Sequence, residues 1–280
     1  MNELYDLEGK AYLSFSGGKD STVLSALIDM AIPDNQIPRI FLNTGIEYRL
    51  VLNFVKNLAE SDKRIVIVSS GVNIPKMLEE SGYPFKSKEH SQKVALYQRS
   101  GKTKTIVNYI GEGTKKNFLC PEKLRYNFSA SFALKVSDRC CYNLKKNVAE
   151  KWGTENNRPI TITGMRQGEG GLRQSMRGCS VFYDDDCKNL KKFHPLFPCE
   201  EDFIAEFIKR FDVRLCDLYY PPYNFKRTGC KGCPYSLDLQ RQLDLMAVYL
   251  PAERKQCETI WGKVYAEYRR IGYRLKDTLL

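Results

Sequence analysis

Two groups of residues have types and spacings that suit chemistry. The first is Ser14-Phe15-Ser16-Gly17-Gly18-Lys19-Asp20-Ser21. Paired glycines permit a tight turn and a close backbone approach. If a helix follows, its unpaired N–H groups and positive dipole end face an anion. Ser16, Ser21 and Thr22 offer hydroxyls and Lys19 a charge, which together make a phosphate cradle. It is not a Walker loop, because Lys19 precedes Asp20 rather than a Ser or Thr. The second group is Cys140-Cys141 together with Cys230-Lys231-Gly232-Cys233. Four thiolates suit zinc or an iron–sulfur cluster equally well on ligand type. The two histidines, His90 and His194, leave little material for a mixed Cys/His site.

These residues need a scaffold, and the patterning supplies one. Lys10–Phe15, Arg39–Leu42, Arg64–Val68, Pro159–Thr163 and Phe193–Leu196 read as five short strands. Amphipathic helices are expected from about Ser21 to Met30, Tyr48 to Glu60 and Glu200 to Phe211. Helical stretches are also expected over Pro121–Lys135, Tyr142–Trp152 and most of Asp238–Tyr273. Apolar strands alternating with helices indicate a parallel sheet covered on both faces. The pattern blurs between Gly71 and Asn117, where Lys86, Lys88, Lys93, Arg99, Lys102, Lys104, Lys115 and Lys116 crowd the chain. That stretch reads as a basic insertion or loop with a solvated face.

Composition narrows the rest. No apolar run approaches the roughly 20 residues of a membrane span, so no membrane role is expected. The acidic start, Met1-Asn2-Glu3-Leu4-Tyr5-Asp6, lacks a signal-peptide apolar region, and a cytoplasmic chain is expected. Ten cysteines in a reducing compartment point to metal or redox chemistry rather than disulfides. A net charge of +11 suits an anionic partner. Arg166 follows an expected strand end, where ligands collect in open α/β sheets, and its planar fork suits phosphate or sulfate.

Ser16-Gly17-Gly18-Lys19-Asp20-Ser21 resembles the PP-loop of the ATP-pyrophosphatase, or adenine-nucleotide alpha-hydrolase-like, superfamily. Three further segments are similar to motifs of its phosphoadenosine phosphosulfate (PAPS) reductase-like family. They are Phe41-Leu42-Asn43-Thr44-Gly45-Ile46-Glu47 at the second strand, Gly164-Met165-Arg166-Gln167-Gly168-Glu169 with Arg173 beyond, and His194-Pro195-Leu196. Asn43 stands where that family usually has Asp. The resemblance spans about residues 8–236 and implies a doubly wound, five-stranded parallel sheet. It implies a domain over 1–236, which includes the cysteines, and a helical extension over 237–280. It also implies ATP as substrate. Ser14, Ser16, Gly17, Gly18, Lys19, Asp20, Ser21, Thr44, Gly45, Gly164, Arg166 and Arg173 would line the nucleotide site. Lys19, Asp20 and Arg166 would act in catalysis, with Asp20 offering oxygens to a magnesium ion. The cysteine set resembles the four ligands of a four-iron four-sulfur cluster, with zinc as the alternative.

The resemblance stops at the reductases' nucleophile. They carry Glu-Cys-Gly-x-His near the C-terminus, and this chain ends Tyr273-Arg274-Leu275-Lys276-Asp277-Thr278-Leu279-Leu280. Cys257, the nearest thiol, sits in a helical pattern with Ile260, Trp261 and Val264, where a core role is expected. The leading expectation is therefore an enzyme that adenylates an acceptor, releases pyrophosphate and serves iron–sulfur-dependent sulfur transfer. Its partners would be a nucleic acid or a sulfur-donor protein. A sulfonucleotide reductase and a non-catalytic nucleotide- or nucleic-acid-binding component are the alternatives.

Overall fold

A computed structural model describes residues 1–114, 119–176 and 178–276. Lys115 and Lys116 of the basic stretch and the last four residues lie outside the described residues. The helices are α1 (Asn2–Tyr5), α2 (Leu7–Lys10), α3 (Lys19–Ala31), α4 (Arg49–Ser61), α5 (Ile74–Ser81), α6 (Lys88–Ser100), α7 (Lys104–Tyr109), α8 (Asn147–Glu155), α9 (Glu201–Arg210), α10 (Leu239–Tyr249) and α11 (Pro251–Arg270). The strands are β1 (Ala11–Ser14), β2 (Arg39–Asn43), β3 (Ile65–Ser69), β4 (Ile160–Ile162), β5 (Ser180–Phe182) and β6 (Leu190–Phe193). These elements form two compact units, one of residues 1–70 with 145–229 and one of 71–144 with 230–280.

The first unit holds the sheet, in the order β3-β2-β1-β4-β6-β5. All neighbours are parallel except β5, which runs antiparallel to β6. Five strands were expected and six are present. The extra one, β5, is a half-buried edge strand of three residues whose pairing slips between Val181 and Phe182. It is too short and too little buried to leave an apolar run. The strand expected at Phe193–Leu196 lies at Leu190–Phe193 instead. Lys191 and Lys192 interrupt its apolar pattern, so only its end was legible. The central strand β1 is buried at Ala11, Tyr12 and Leu13, as a sheet covered on both faces requires. Strand order reverses between β1 and β4, which makes their carboxyl ends the switch point of the sheet.

The second unit is helical. The stretch expected to be irregular, 71–117, contains α5, α6 and α7. Asn73 and Ser87 cap α5 and α6 by accepting from the backbone N–H groups of Lys76 and His90. The basic outer face of α6 hid its buried residues His90, Ser91 and Val94. The helix expected over Pro121–Lys135 shrinks to a 3-10 helix at Glu122–Phe128. There Ser129 donates its hydroxyl to the Tyr126 carbonyl at 2.7 Å, competing with helix continuation. Phe85, Phe132 and Tyr268 form an edge-to-face core, with Phe85 and Tyr268 centred 4.8 Å apart. Helices α10 and α11, from the expected extension, belong to this unit.

Candidate functional site

The loop after β1 turns sharply because Gly17 adopts φ +67°, a left-handed backbone. A Cβ there would lie 2.9 Å from both Val51 Cγ1 and Val55 Cγ2, so the loop is pressed onto α4. Gly18 caps α3 without a side-chain cap, leaving first-turn N–H groups to other partners. Tyr219 takes one of them: Lys19 N donates to its hydroxyl at 3.0 Å. Ser21 and Thr22 donate their hydroxyls to the Gly18 carbonyl at 2.9 and 3.0 Å. Ser16 N donates to Ser21 Oγ, and Gly18 N donates to Ser16 Oγ. The hydroxyls expected to reach a phosphate thus hold the loop to the helix.

Charges gather at the same helix end. Lys19 Nζ pairs with Glu201 Oε1, and Arg166 Nη2 with Glu201 Oε2 at 2.5 Å. Arg166 Nε donates to Asp20 Oδ1 at 2.9 Å. Glu169 accepts from Arg166 N and pairs with Arg173 and Arg227, each at 3.1 Å. Arg166 is only 4% exposed, so its charge sits where little water screens it. Burial lowers the Lys19 pKa. Asp20 opposes that, and Arg166 and Arg227 add to it. Gly164 brings the β4 loop against α3: a Cβ there would be 3.0 Å from the Asp20 backbone carbon and oxygen. Lys19 and Arg166 therefore stand beside one helix N-terminus at the switch point, held by carboxylates.

The β2 motif is organised by its last residue. Glu47 accepts from Thr44 N and Thr44 Oγ1 at 2.9 and 2.8 Å, and Lys145 Nζ stands 3.6 Å from it. Gly45, at φ +85°, donates to Asn43 Oδ1. His194 Nδ1 hydrogen-bonds Thr163 Oγ1 at 2.7 Å. Burial, then nearby Lys192, lowers its pKa to about 4.

The cysteines lie in the second unit. Cys140 is buried; Cys141, Cys230 and Cys233 are half-buried. Cys230–Pro234 is a turn in which Cys233 N donates to Cys230 O and Gly232 has φ +60°. One face of α11 clamps it. Trp261 Nε1 donates to Lys231 O at 3.1 Å, Tyr265 OH to Gly232 O, and Tyr268 OH to Pro234 O at 3.0 Å. Spacing of four and then three residues aligns these donors. Burial foremost raises the Tyr235 phenol pKa, its hydrogen bond with Ser91 opposes that, and Cys141, Cys233 and Cys140 add to the rise. In donor type and burial the set suits a soft metal centre. Among the described residues, no three His, Cys, Asp or Glu side chains converge as they would around a single metal ion. Cys257 is fully buried, and burial pushes its thiol up to about 12.

Sequence reasoning missed Glu201, Tyr219 and Arg227 near the loop, Thr228, whose hydroxyl lies 2.8 Å from that of Tyr219, and the three donors of α11. Glu201 had one weak signal, an acidic pair opening an amphipathic helix.

A Gly-Gly turn that opens a helix at the switch point of an open α/β sheet is the architecture of the PP-loop proteins. The chain belongs to the phosphoadenosine phosphosulfate reductase domain family, whose profile matches residues 10–236. An uncharacterized protein of Methanocaldococcus jannaschii is 32% identical over 123 residues, which are 42% of this chain and 29% of that protein. The chain thus matches less than a third of that relative's length. Among solved structures, PAPS reductase of Candida auris has 14% identity and a TM-score of 0.41, covering 75% of this chain and 76% of its own. FMN adenylyltransferase of Candida glabrata has 12% identity and 0.40, covering 78% and 53%. The U34-tRNA thiolase NcsA of Methanococcus maripaludis, with its 4Fe-4S cluster, has 14% identity and 0.38, covering 98% and 76%. Among the described residues no helix is long and apolar enough to cross a membrane.

Proposed function

We propose that the chain binds ATP at the N-terminus of α3 and transfers its adenylyl group to an acceptor oxygen. The observation that carries this reading is the Gly17–Gly18 turn, which opens a helix beside Lys19 and buried Arg166 at the switch point. The acceptor oxygen attacks the α-phosphorus. The bond to the β-phosphate oxygen breaks, and its electron pair leaves on pyrophosphate. Lys19, Arg166 and the first-turn amides stabilise that charge once phosphate has displaced Glu201 from the two cations. Asp20 anchors Arg166 through its Nε, and its second oxygen is the candidate magnesium ligand. Thr44, Gly45 and Arg173 complete the nucleotide site.

Cys140, Cys141, Cys230 and Cys233 would hold a four-iron four-sulfur cluster, with zinc as the alternative. Bound there, a cluster supplies a site for sulfur or electron transfer. The α11 donors keep the Cys230–Cys233 turn in one conformation. Anaerobic protein should be brown and lose that absorbance in Cys230→Ser. A colourless chain with one zinc per molecule would leave a structural site.

The test of adenylation is pyrophosphate release from ATP. Sulfite release from a sulfonucleotide, without pyrophosphate from ATP, would favour the second reading, a reductase. The family match favours that reading, whereas the burial of Cys257 weighs against it. Tight binding without turnover would favour a non-catalytic component.

A further inference from the structure

Charge is divided unevenly between the units. The unit of residues 1–70 and 145–229 has 22 Lys and Arg against 21 Asp and Glu, a net +1. The unit of residues 71–144 and 230–280 has 22 against 12, a net +10 of the chain's +11. A charge kept only for solubility would be spread over both. Concentrated in one small unit, it repels itself and costs stability. A polyanion bound to that unit offsets the cost.

The exposed cations sit on elements that pack together. Helix α6 packs on both α7 and the 3-10 helix 122–128. These three carry exposed Lys88, Arg99, Lys104, Lys123 and Arg125. The same elements carry two exposed carboxylates, Glu89 and Glu122, against these five cations, while Glu79 pairs with Lys263, Glu112 with Lys102, Glu258 with Arg254 and Arg269, and Glu267 with Arg270. Other arginines of the unit stand over tyrosine rings, of which Tyr126 and Tyr273 are half-buried. Arg139 stands 5.8 Å over the exposed Tyr142 ring, Arg270 4.9 Å over Tyr126, and Arg274 5.6 Å over Tyr273. Cations that track a backbone, with rings on which bases stack, are what an unpaired strand requires. A duplex buries its base faces and leaves such rings idle.

We propose that this unit docks a single-stranded nucleic acid, a reading that does not rest on adenylation. The test is fluorescence anisotropy of a labelled oligothymidylate of about 20 nucleotides, with the full chain and no ATP. Binding should weaken steeply with salt. Combined Lys88→Gln, Arg99→Gln, Lys104→Gln, Lys123→Gln and Arg125→Gln should weaken it about tenfold or more. The slope of log affinity against log salt should flatten by about 0.7 for each phosphate that is no longer neutralised. Lys56→Gln with Lys151→Gln and Lys188→Gln, on the other unit, should change neither. A salt-independent affinity, equal loss in the two variants, or tighter binding to duplex DNA or to anionic vesicles would each overturn the proposal. Because ATP is absent, failure here leaves nucleotide binding standing, and failure of pyrophosphate release leaves strand binding standing.

Discussion

Glu201 should compete with the nucleotide. Its two carboxylate oxygens engage Lys19 and Arg166, the two cations proposed to face phosphate. It is the first residue of α9, and its side chain is 60% exposed, so it can leave at low cost. Exposed ion pairs are each worth about 0.2–1 kcal/mol, which puts the two together at roughly 0.4–2 kcal/mol. Phosphate oxygens must replace both. Glu201→Ala should therefore tighten ATP and pyrophosphate binding by about 2- to 30-fold. Glu201→Gln keeps one hydrogen-bonding oxygen and should gain less. Calorimetric titration at two salt concentrations measures this, and the gain should shrink as salt rises. Weaker binding in Glu201→Ala would mean that the carboxylate belongs to the nucleotide or metal site, and the competition argument would be wrong.

Gly17→Ala forces a left-handed alanine, about 1 kcal/mol, against Val51 and Val55, about 1–3 more. It should lower Tm by roughly 4–12 °C. Gly71→Ala, also at positive φ but with nothing within 4 Å, should show only the smaller part; equal shifts would refute the packing claim. Cys257→Ala should retain turnover in whichever assay shows it, at about 1–2 kcal/mol of stability. Complete loss with fold intact would revive a catalytic thiol. Both histidines are held neutral, His90 near 3 and His194 near 4, against an ordinary 6.5. Burial causes both shifts, so the unfolded chain binds more protons and stability falls as pH drops below about 6.5. His90 alone should account for about 2 kcal/mol between pH 7 and 5. An acid-melting slope unchanged in His90→Gln would rule that out.

What the sequence made legible followed from local patterning. Gly17 and Gly18 stand between an apolar strand and an amphipathic helix, and that arrangement is readable without distant partners. Strand β6 was displaced because Lys191 and Lys192 break its run. Helices α5 to α7 were hidden under a basic face. The partners of the loop were out of reach for a different reason. Glu201 is 182 residues from Lys19, and Tyr219 is 200 away. The α11 donors meet carbonyls 30 to 34 residues earlier through burial that no spacing rule encodes. The four cysteines were found by type. Only the structure shows Trp261, Tyr265 and Tyr268 holding the Cys230–Pro234 turn.

Calorimetric titration of ATP into wild type and Lys19→Ala tests the central claim most directly. Removing one charge-assisted hydrogen bond to phosphate should cost about 1.5–3 kcal/mol, or roughly 10- to 150-fold in affinity, with the fold unchanged. Equal affinity in the two proteins would contradict it and remove the α3 N-terminus from the nucleotide site.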